Sequence, residues 1–416
     1  MAALLLATFP PHVNFSRIGL NNVADPLFGT LALAFLARGL QSRRQMDFAI
    51  AGAALGLTQY FYEGGRFLFV FLVCFWLLGI LLLRRIMSAF SRAEEMRPLP
   101  VRGIFTCILV ALLVAAPVYY TLFALRQPFA ARMDTVGLGG SYWLRAVSSG
   151  GGQSPDQQLL TPFLTFVFMP EQALYYGGEQ PMVLDVLVPV LLLGAAYAVW
   201  RWRGPGMLLA LWVLLTCGGN MLLTYGAIYA RYVVVFPALA LLLALGVREV
   251  LLLILPEPRQ DRGLKPPVRT NWIMAGIVLA MAVVQTVYYF GPHLQGYNRQ
   301  IRPTADFEDA LFRSADFPPG TRIHLITSQT LDQSYLYGVL GFVTDSGSLS
   351  VLTPQQVTPD YLAKLPHGVD QAFYVEPGDT TSPELLAQYF RLDPPQYSPY
   401  NLPRDKQFIL YYAPRG

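Results

Sequence analysis

Nine apolar stretches that rarely contain a charge recur through the first 290 residues and constrain the fold more than anything else in the chain: 1 to 11, 23 to 37, 48 to 62, 67 to 83, 103 to 125, 183 to 200, 206 to 224, 232 to 247 and 272 to 290. A helix crossing the hydrocarbon of a bilayer needs roughly 17 to 25 residues, so several of these stretches draw on their polar flanks to complete a crossing. The first is too short and lacks the basic start of a signal peptide; it reads as the end of a helix whose beginning lies outside the sequence. Only 13% of the 416 residues are charged and 54% are hydrophobic, with mean hydropathy +0.41, whereas soluble domains carry about 25% charged residues. The expected fold is a polytopic α-helical membrane protein of about nine segments over 1–292, the first partial, with a long outer loop at 124–182.

Cytoplasmic loops of membrane proteins collect arginine and lysine. If the chain alternates sides, one set of loops holds fifteen basic residues: Arg38, Arg43, Arg44, Arg84, Arg85, Arg92, Arg97, Arg102, Arg201, Arg203, Arg248, Arg259, Arg262, Lys265 and Arg269. The opposite loops before residue 293 hold six: Arg17, Arg66, Arg126, Arg132, Arg145 and Arg231. The first set is therefore expected in the cytoplasm, and residues 12–25, 60–66, 124–182, 225–231 and the C-terminal tail outside, in a plasma or inner membrane. The net charge of +4 follows from this bias and needs no nucleic-acid partner.

After Pro292 the pattern changes to short alternating runs. "RIHLIT", "QAFYVEP" and "QFILYYA" read as strands and "PELLAQYF" as a helix, which suggests a small α/β extracytoplasmic domain over 293–416. "SSGGGQSPDQQ" at 148–158 reads as a flexible patch inside the outer loop. Cys74, Cys107 and Cys217 all lie in apolar runs, where cysteine serves as a small core residue. His12, His293, His324 and His367 are too scattered for a zinc cluster.

Arg17, Arg66 and Arg231 each sit in a short turn beside an apolar run, in "NFSRIGL", "YFYEGGRFLF" and "IYARYVVVFP". A charge at that depth needs a partner or access to the interface. Three guanidinium groups on one face would make an anion site, because they grip phosphate oxygens bidentately; alternatively each reaches lipid headgroups or a neighbour, Glu63 for Arg66. Asp25 fits two readings: the N-terminal cap of the helix that starts at Pro26, or a carboxylate that orients or deprotonates an acceptor. Asn21 and Asn22 read as turn residues. Neither a phosphate-binding G-x-x-x-x-G-K-[ST] loop, nor a dinucleotide G-x-G-x-x-G, nor a D-x-D pair occurs. A membrane-resident phosphorylated substrate fits better than a soluble nucleotide.

The stretches "PPHVNFSRIGLNNVADPLFGTLALAFLARGL", "DFAIAGAALGLTQYFYEGGRF" and "YARYVVVFPALALLLALGV" resemble the membrane core of the polyprenyl-phosphate-dependent glycosyltransferases, which include protein O-mannosyltransferases and the lipid A aminoarabinose transferase. The resemblance covers roughly residues 1–290. It implies a GT-C-like fold and an inverting transferase that moves a sugar from a polyprenyl-phosphate donor to an extracytoplasmic protein, lipid or glycan acceptor. Carried onto this chain, Arg17 would bind the donor phosphate or orient the site, with Arg66 and Arg231 as further phosphate ligands. Asp25 would lie near the acceptor pocket as the catalytic candidate. Tyr62 and Tyr229 would line the sugar pocket, with His12 and Glu63 as further substrate-binding candidates.

In the family, the general base is an acidic residue in the first extracytoplasmic loop, and no acidic residue precedes Asp25 here. The chain is therefore expected to lack its N-terminal catalytic loop, and to be inactive unless another polypeptide supplies it. The scheme needs no nucleotide or redox cofactor; a divalent metal is compatible with it. Two other classes fit the same arginines: a transporter or flippase of a lipid-linked saccharide, and a non-catalytic remnant.

Overall fold

A computed structural model describes residues 1–89, 99–128, 137, 155–171, 175–202, 204–223, 226–254, 268–300, 305–329, 331, 333–343, 348–400 and 402–415. Arg92, Arg97, Arg132, Arg145, Arg203, Arg259, Arg262, Lys265 and most of the glycine-serine patch lie outside them. The chain divides into two compact units, Met1–Tyr297 and Asn298–Gly416.

The first unit is helical. Its helices include α1 (Ala2–Thr8), α2 (Pro10–Arg17), α3 (Asp25–Ser42), α4 (Gln45–Leu57), α5 (Glu63–Ala89), α6 (Val101–Ala124), α7 (Pro155–Leu164), α8 (Val188–Trp200), α9 (Pro205–Met221), α10 (Phe236–Ile254) and α11 (Val268–Tyr288). Proline occupies the first turn of α2, α3, α8 and α9, where its missing N–H leaves no bond unmade. Short 3-10 turns at Asn21–Ala24 and Tyr229–Val235 lead into α3 and α10.

Every one of the nine apolar stretches contains a helix, and these helices differ in length. Five described helical spans are long and apolar enough to cross a membrane: Asn21–Ser42, Glu63–Ile86, Val101–Ala124, Tyr229–Ile254 and Asn271–Tyr297. Helices α8 and α9 add a sixth span only if taken together, and they are bent by 118° at their break. Helix α4, with 13 residues, is about 20 Å long, short of the roughly 30 Å hydrocarbon layer.

The core of this unit is aromatic at its centre. Phe69 packs edge-on against Trp212 with centroids 5.7 Å apart, and the indole N–H of Trp212 donates to the Val234 carbonyl at 2.9 Å, so the buried ring leaves no donor unmade. Small residues let the helices close in. A Cβ on Gly246 of α10 would lie 2.1 Å from the Val190 carbonyl of α8, and one on Gly194 of α8 would lie 1.9 Å from the Leu242 carbonyl of α10.

The second unit is α/β. Strands β1 (Arg322–Ile326), β2 (Ser348–Leu352), β3 (Gln371–Val375) and β4 (Ile409–Ala413) form one sheet in the order β2-β1-β3-β4. The first three run parallel and β4 antiparallel to β3. Both faces of the sheet are covered. Ile323, Leu325, Ala372 and Tyr374 pack with Leu311, Leu336 and Leu340, whereas Ile326, Phe373 and Val375 pack with Leu362, Leu386 and Phe390. That is why β3 is buried at all five positions.

Candidate functional site

Polar side chains gather the connecting segments of the helical unit at one end. The Asn22 amide donates to the Ala230 carbonyl, tying the two 3-10 turns together. The Asn14 amide donates to the Tyr175 carbonyl at 3.0 Å, and the Gln158 amide to the carbonyls of Met221 and Leu223, each at 2.8 Å. Asp25 lies against Gly65, and Arg17 reaches Tyr289. These are the segments that the distribution of arginine assigns to one side. At the other end, Arg38 and Ser42 of α3 both bond the Asp47 carboxylate of α4.

A cavity of about 560 Å³ lies at the gathered end, between the start of α5, the end of α9 and the Tyr229–Val235 turn. Tyr62, Glu63, Asn220 and Arg231 supply its polar groups, and Phe67, Leu68, Phe71, Leu214, Leu215 and Val234 its apolar wall. Phe71, Leu214 and Leu222 are exposed on their outer sides, so the apolar wall continues onto the flank of the helical unit. The cavity thus joins a polar end at Arg231 and Glu63 to an apolar wall along α5 and α9. A second cavity, about 540 Å³, lies at the opposite end of α4 and is lined by Gln45, Val101, Arg102, Phe105 and Thr106.

Of the residues expected to form one site, Arg231, Tyr62 and Glu63 line this cavity. Arg66 stands one helical turn beyond Glu63, close enough to Asp25 for their charges to interact, and its main-chain carbonyl accepts from Gln59. Arg17, exposed at the end of α2, donates to the Tyr289 hydroxyl at 3.3 Å, and that hydroxyl faces Asn14 Oδ1 at 3.4 Å. Arg17 does not line the cavity with Arg231, because its helix turns the side chain toward the end of α11. His12, half-buried in the first turn of α2, is likewise not a lining residue.

Two further candidates lie outside this lining. Tyr229 is not a lining residue of this cavity: it is fully buried, and its hydroxyl donates to the Met169 carbonyl at 2.8 Å. Asp25 does not cap its own helix. Ala24 occupies the cap, with Asp25 the first helical residue, and the enclosed carboxylate packs on Gly65, where a Cβ would come within 2.2 Å of its Cγ. Its carboxylate lies beside the backbone at Tyr62 and Gly65, where α5 begins. Asp25 is therefore buried and is not a lining residue of the cavity.

Two features lacked a signal in the sequence. Glu171 accepts backbone N–H bonds from Tyr176, from Gly177 at 2.9 Å and from Tyr229 at 3.0 Å, and loss of water contact pushes its carboxyl up to about 7. His293 closes a π-helical turn, Tyr289–His293, that contains Pro292. Its ring stacks between Tyr176, at 4.1 Å, and Tyr289, at 5.3 Å, and among the described residues neither ring nitrogen has a hydrogen-bond partner. An isolated glutamate in a long loop and a histidine after a proline carry no periodicity that would mark them. Among the described residues, no three histidine, cysteine, aspartate or glutamate side chains come together in a way that could hold a metal.

Comparison with protein-family models, with curated proteins and with solved structures finds no match.

Proposed function

We propose that the helical unit is embedded in a membrane and binds a polyprenyl-phosphate sugar in the cavity beside Arg231, as the donor of an inverting, GT-C-type glycosyl transfer to an extracytoplasmic acceptor. The observation that carries this reading is the cavity itself: one guanidinium and one carboxylate at the polar end of a channel whose wall turns apolar toward the exposed flank. Arg231 holds the phosphate, the prenyl chain lies along Phe67, Phe71 and Leu214, and the Tyr62 ring packs on the sugar. In transfer, the acceptor oxygen or nitrogen forms a bond to the anomeric carbon as the bond from that carbon to the phosphate oxygen breaks. The leaving phosphate takes the electron pair, and Arg231 stabilises its growing charge.

The acceptor's proton needs a base within hydrogen-bond reach. Glu63 lines the cavity and suits that role better than the enclosed Asp25. Arg66 and Asp25 brace the start of α5, from which Tyr62 and Glu63 project.

The test is a purified full chain in lipid nanodiscs, titrated with a labelled polyprenyl-phosphate sugar and then given candidate acceptors. Saturable binding that Arg231→Ala abolishes, with release of polyprenyl phosphate that Glu63→Gln abolishes, is the expected result. Binding without release supports instead a protein that carries or presents the lipid-linked sugar. Equal binding by wild type and Arg231→Ala overturns both.

A further inference from the structure

Glu171 ties together two segments that are far apart in sequence. Its Oε1 accepts the main-chain N–H of Tyr229 at 3.0 Å, and its Oε2 accepts those of Tyr176 and of Gly177, the latter at 2.9 Å. Tyr229 is held a second time by its hydroxyl on the Met169 carbonyl, and its ring stacks on Tyr176 with centroids 5.4 Å apart. Arg231 follows two residues later in the same 3-10 turn, with its own N–H on the Ile228 carbonyl at 3.0 Å.

We propose that Glu171 is a positioning residue for the anion site: its carboxylate fixes the turn at Tyr229 and thereby the direction in which Arg231 enters the cavity. This rests on the reading that Arg231 binds the donor phosphate. An ionised carboxylate only accepts hydrogen bonds and can receive all three N–H groups, whereas a glutamine would aim its own NH₂ at one of them. Bonds to the ionised form are also roughly twice as strong as neutral ones. The titratable groups that face Glu171 are the Tyr176 phenol on its own loop and the Tyr229 phenol on the turn. His293 lies against the Tyr176 ring. Among the described residues no cation pairs with Glu171. With its carboxyl raised to about 7, the grip on the turn tightens as pH rises through neutrality.

The experiment uses the full chain in nanodiscs, in buffers on either side of about pH 7, with two readouts. One is hydrogen–deuterium exchange of Tyr229–Val235, corrected for intrinsic rates, with α10 as the control for folding. The other is affinity for a polyprenyl-phosphate sugar, a phosphodiester whose single charge is constant across this range. Wild type should show greater protection and tighter binding on the alkaline side. Glu171→Gln should lose the protection, lose the pH dependence and bind about tenfold more weakly at alkaline pH, in keeping with the loss of a charge-assisted bond.

Wild-type protection in Glu171→Gln overturns the proposal, as does unchanged donor affinity. If Arg231→Ala also binds normally, the fault lies in the reading of the cavity. If Arg231→Ala binds weakly while Glu171→Gln binds normally, the fault lies in the positioning role. Should Glu171→Gln fail to fold, a pH-independent exchange profile in wild type overturns the proposal on its own.

Discussion

Arg17, Arg66 and Arg231 look alike in the sequence, each an arginine in a short turn before an apolar run. What separates them is the direction of the turn, and that depends on partners far away in the chain: Tyr289 for Arg17, and Asn22 and Glu171 for the turn that bears Arg231. Arg231→Ala should weaken donor binding by roughly 10- to 100-fold, because a hydrogen bond to a charged group contributes about 1.5–3 kcal/mol. Arg17→Ala should cost far less; lipid titration in nanodiscs compares the two. Asp25 tests a different point. Gly65→Ala forces a methyl group to within 2.2 Å of the Asp25 Cγ and should cost about 1–3 kcal/mol, the usual range for overpacking. Thermal unfolding in detergent reads the loss, and adding Asp25→Ala should recover part of it.

The helices were the most legible elements, because a long apolar run leaves the backbone few alternatives. Their lengths were less so, since runs of about equal hydropathy became a 13-residue helix at α4 and a 27-residue one at α5. In the second unit the alternating runs marked β1, β3 and β4. Strand β2 and the helix Gln333–Val343 were not visible: "SLSVL" is too short for periodicity to speak, and "QSYLYGVLGFV" carries two glycines. Nor did the sequence show why His324 sits mid-strand. It is buried, stacked on Phe373 at 4.8 Å, with Nε2 at 2.9 Å from Gln371 Oε1 and Nδ1 at 3.0 Å from the Tyr361 hydroxyl.

Burial lowers the His324 imidazole from 6.5 to about 4. The unfolded chain therefore takes up a proton at about pH 6.5 while the folded chain does not, so the cost of burying His324 is absent above that pH and grows as the pH falls toward 4. That cost amounts to about 3 kcal/mol. Exchange protection of β1 and β3 in the full chain should fall over that window, and His324→Gln should flatten the dependence. Among the helices, Gly246→Ala sets a Cβ against the Val190 carbonyl and should lower the unfolding temperature by forcing α8 and α10 apart.

At the scale of the whole molecule, five apolar spans predict that an alkaline carbonate wash leaves the chain in the membrane pellet. The inferred orientation adds that a cysteine placed at the exposed Thr380 reacts with an impermeant maleimide from outside intact cells; labelling only after lysis would reverse the assignment of sides. Charge bias could suggest that orientation because it depends on residue counts. It could not show that the segments it grouped meet at one end through Asn14, Asn22 and Gln158, since those bonds join positions up to 208 residues apart.

Helices α5 and α9 meet the exterior with Phe71, Leu214 and Leu222 uncovered beside the cavity. If the proposed lipid-linked donor enters through that seam, it never has to pass through water, and occupancy should follow how many such molecules there are per hundred lipids, not per litre of buffer. With donor well below saturation, doubling the bilayer at fixed donor should halve occupancy, while doubling the aqueous volume should leave it unchanged.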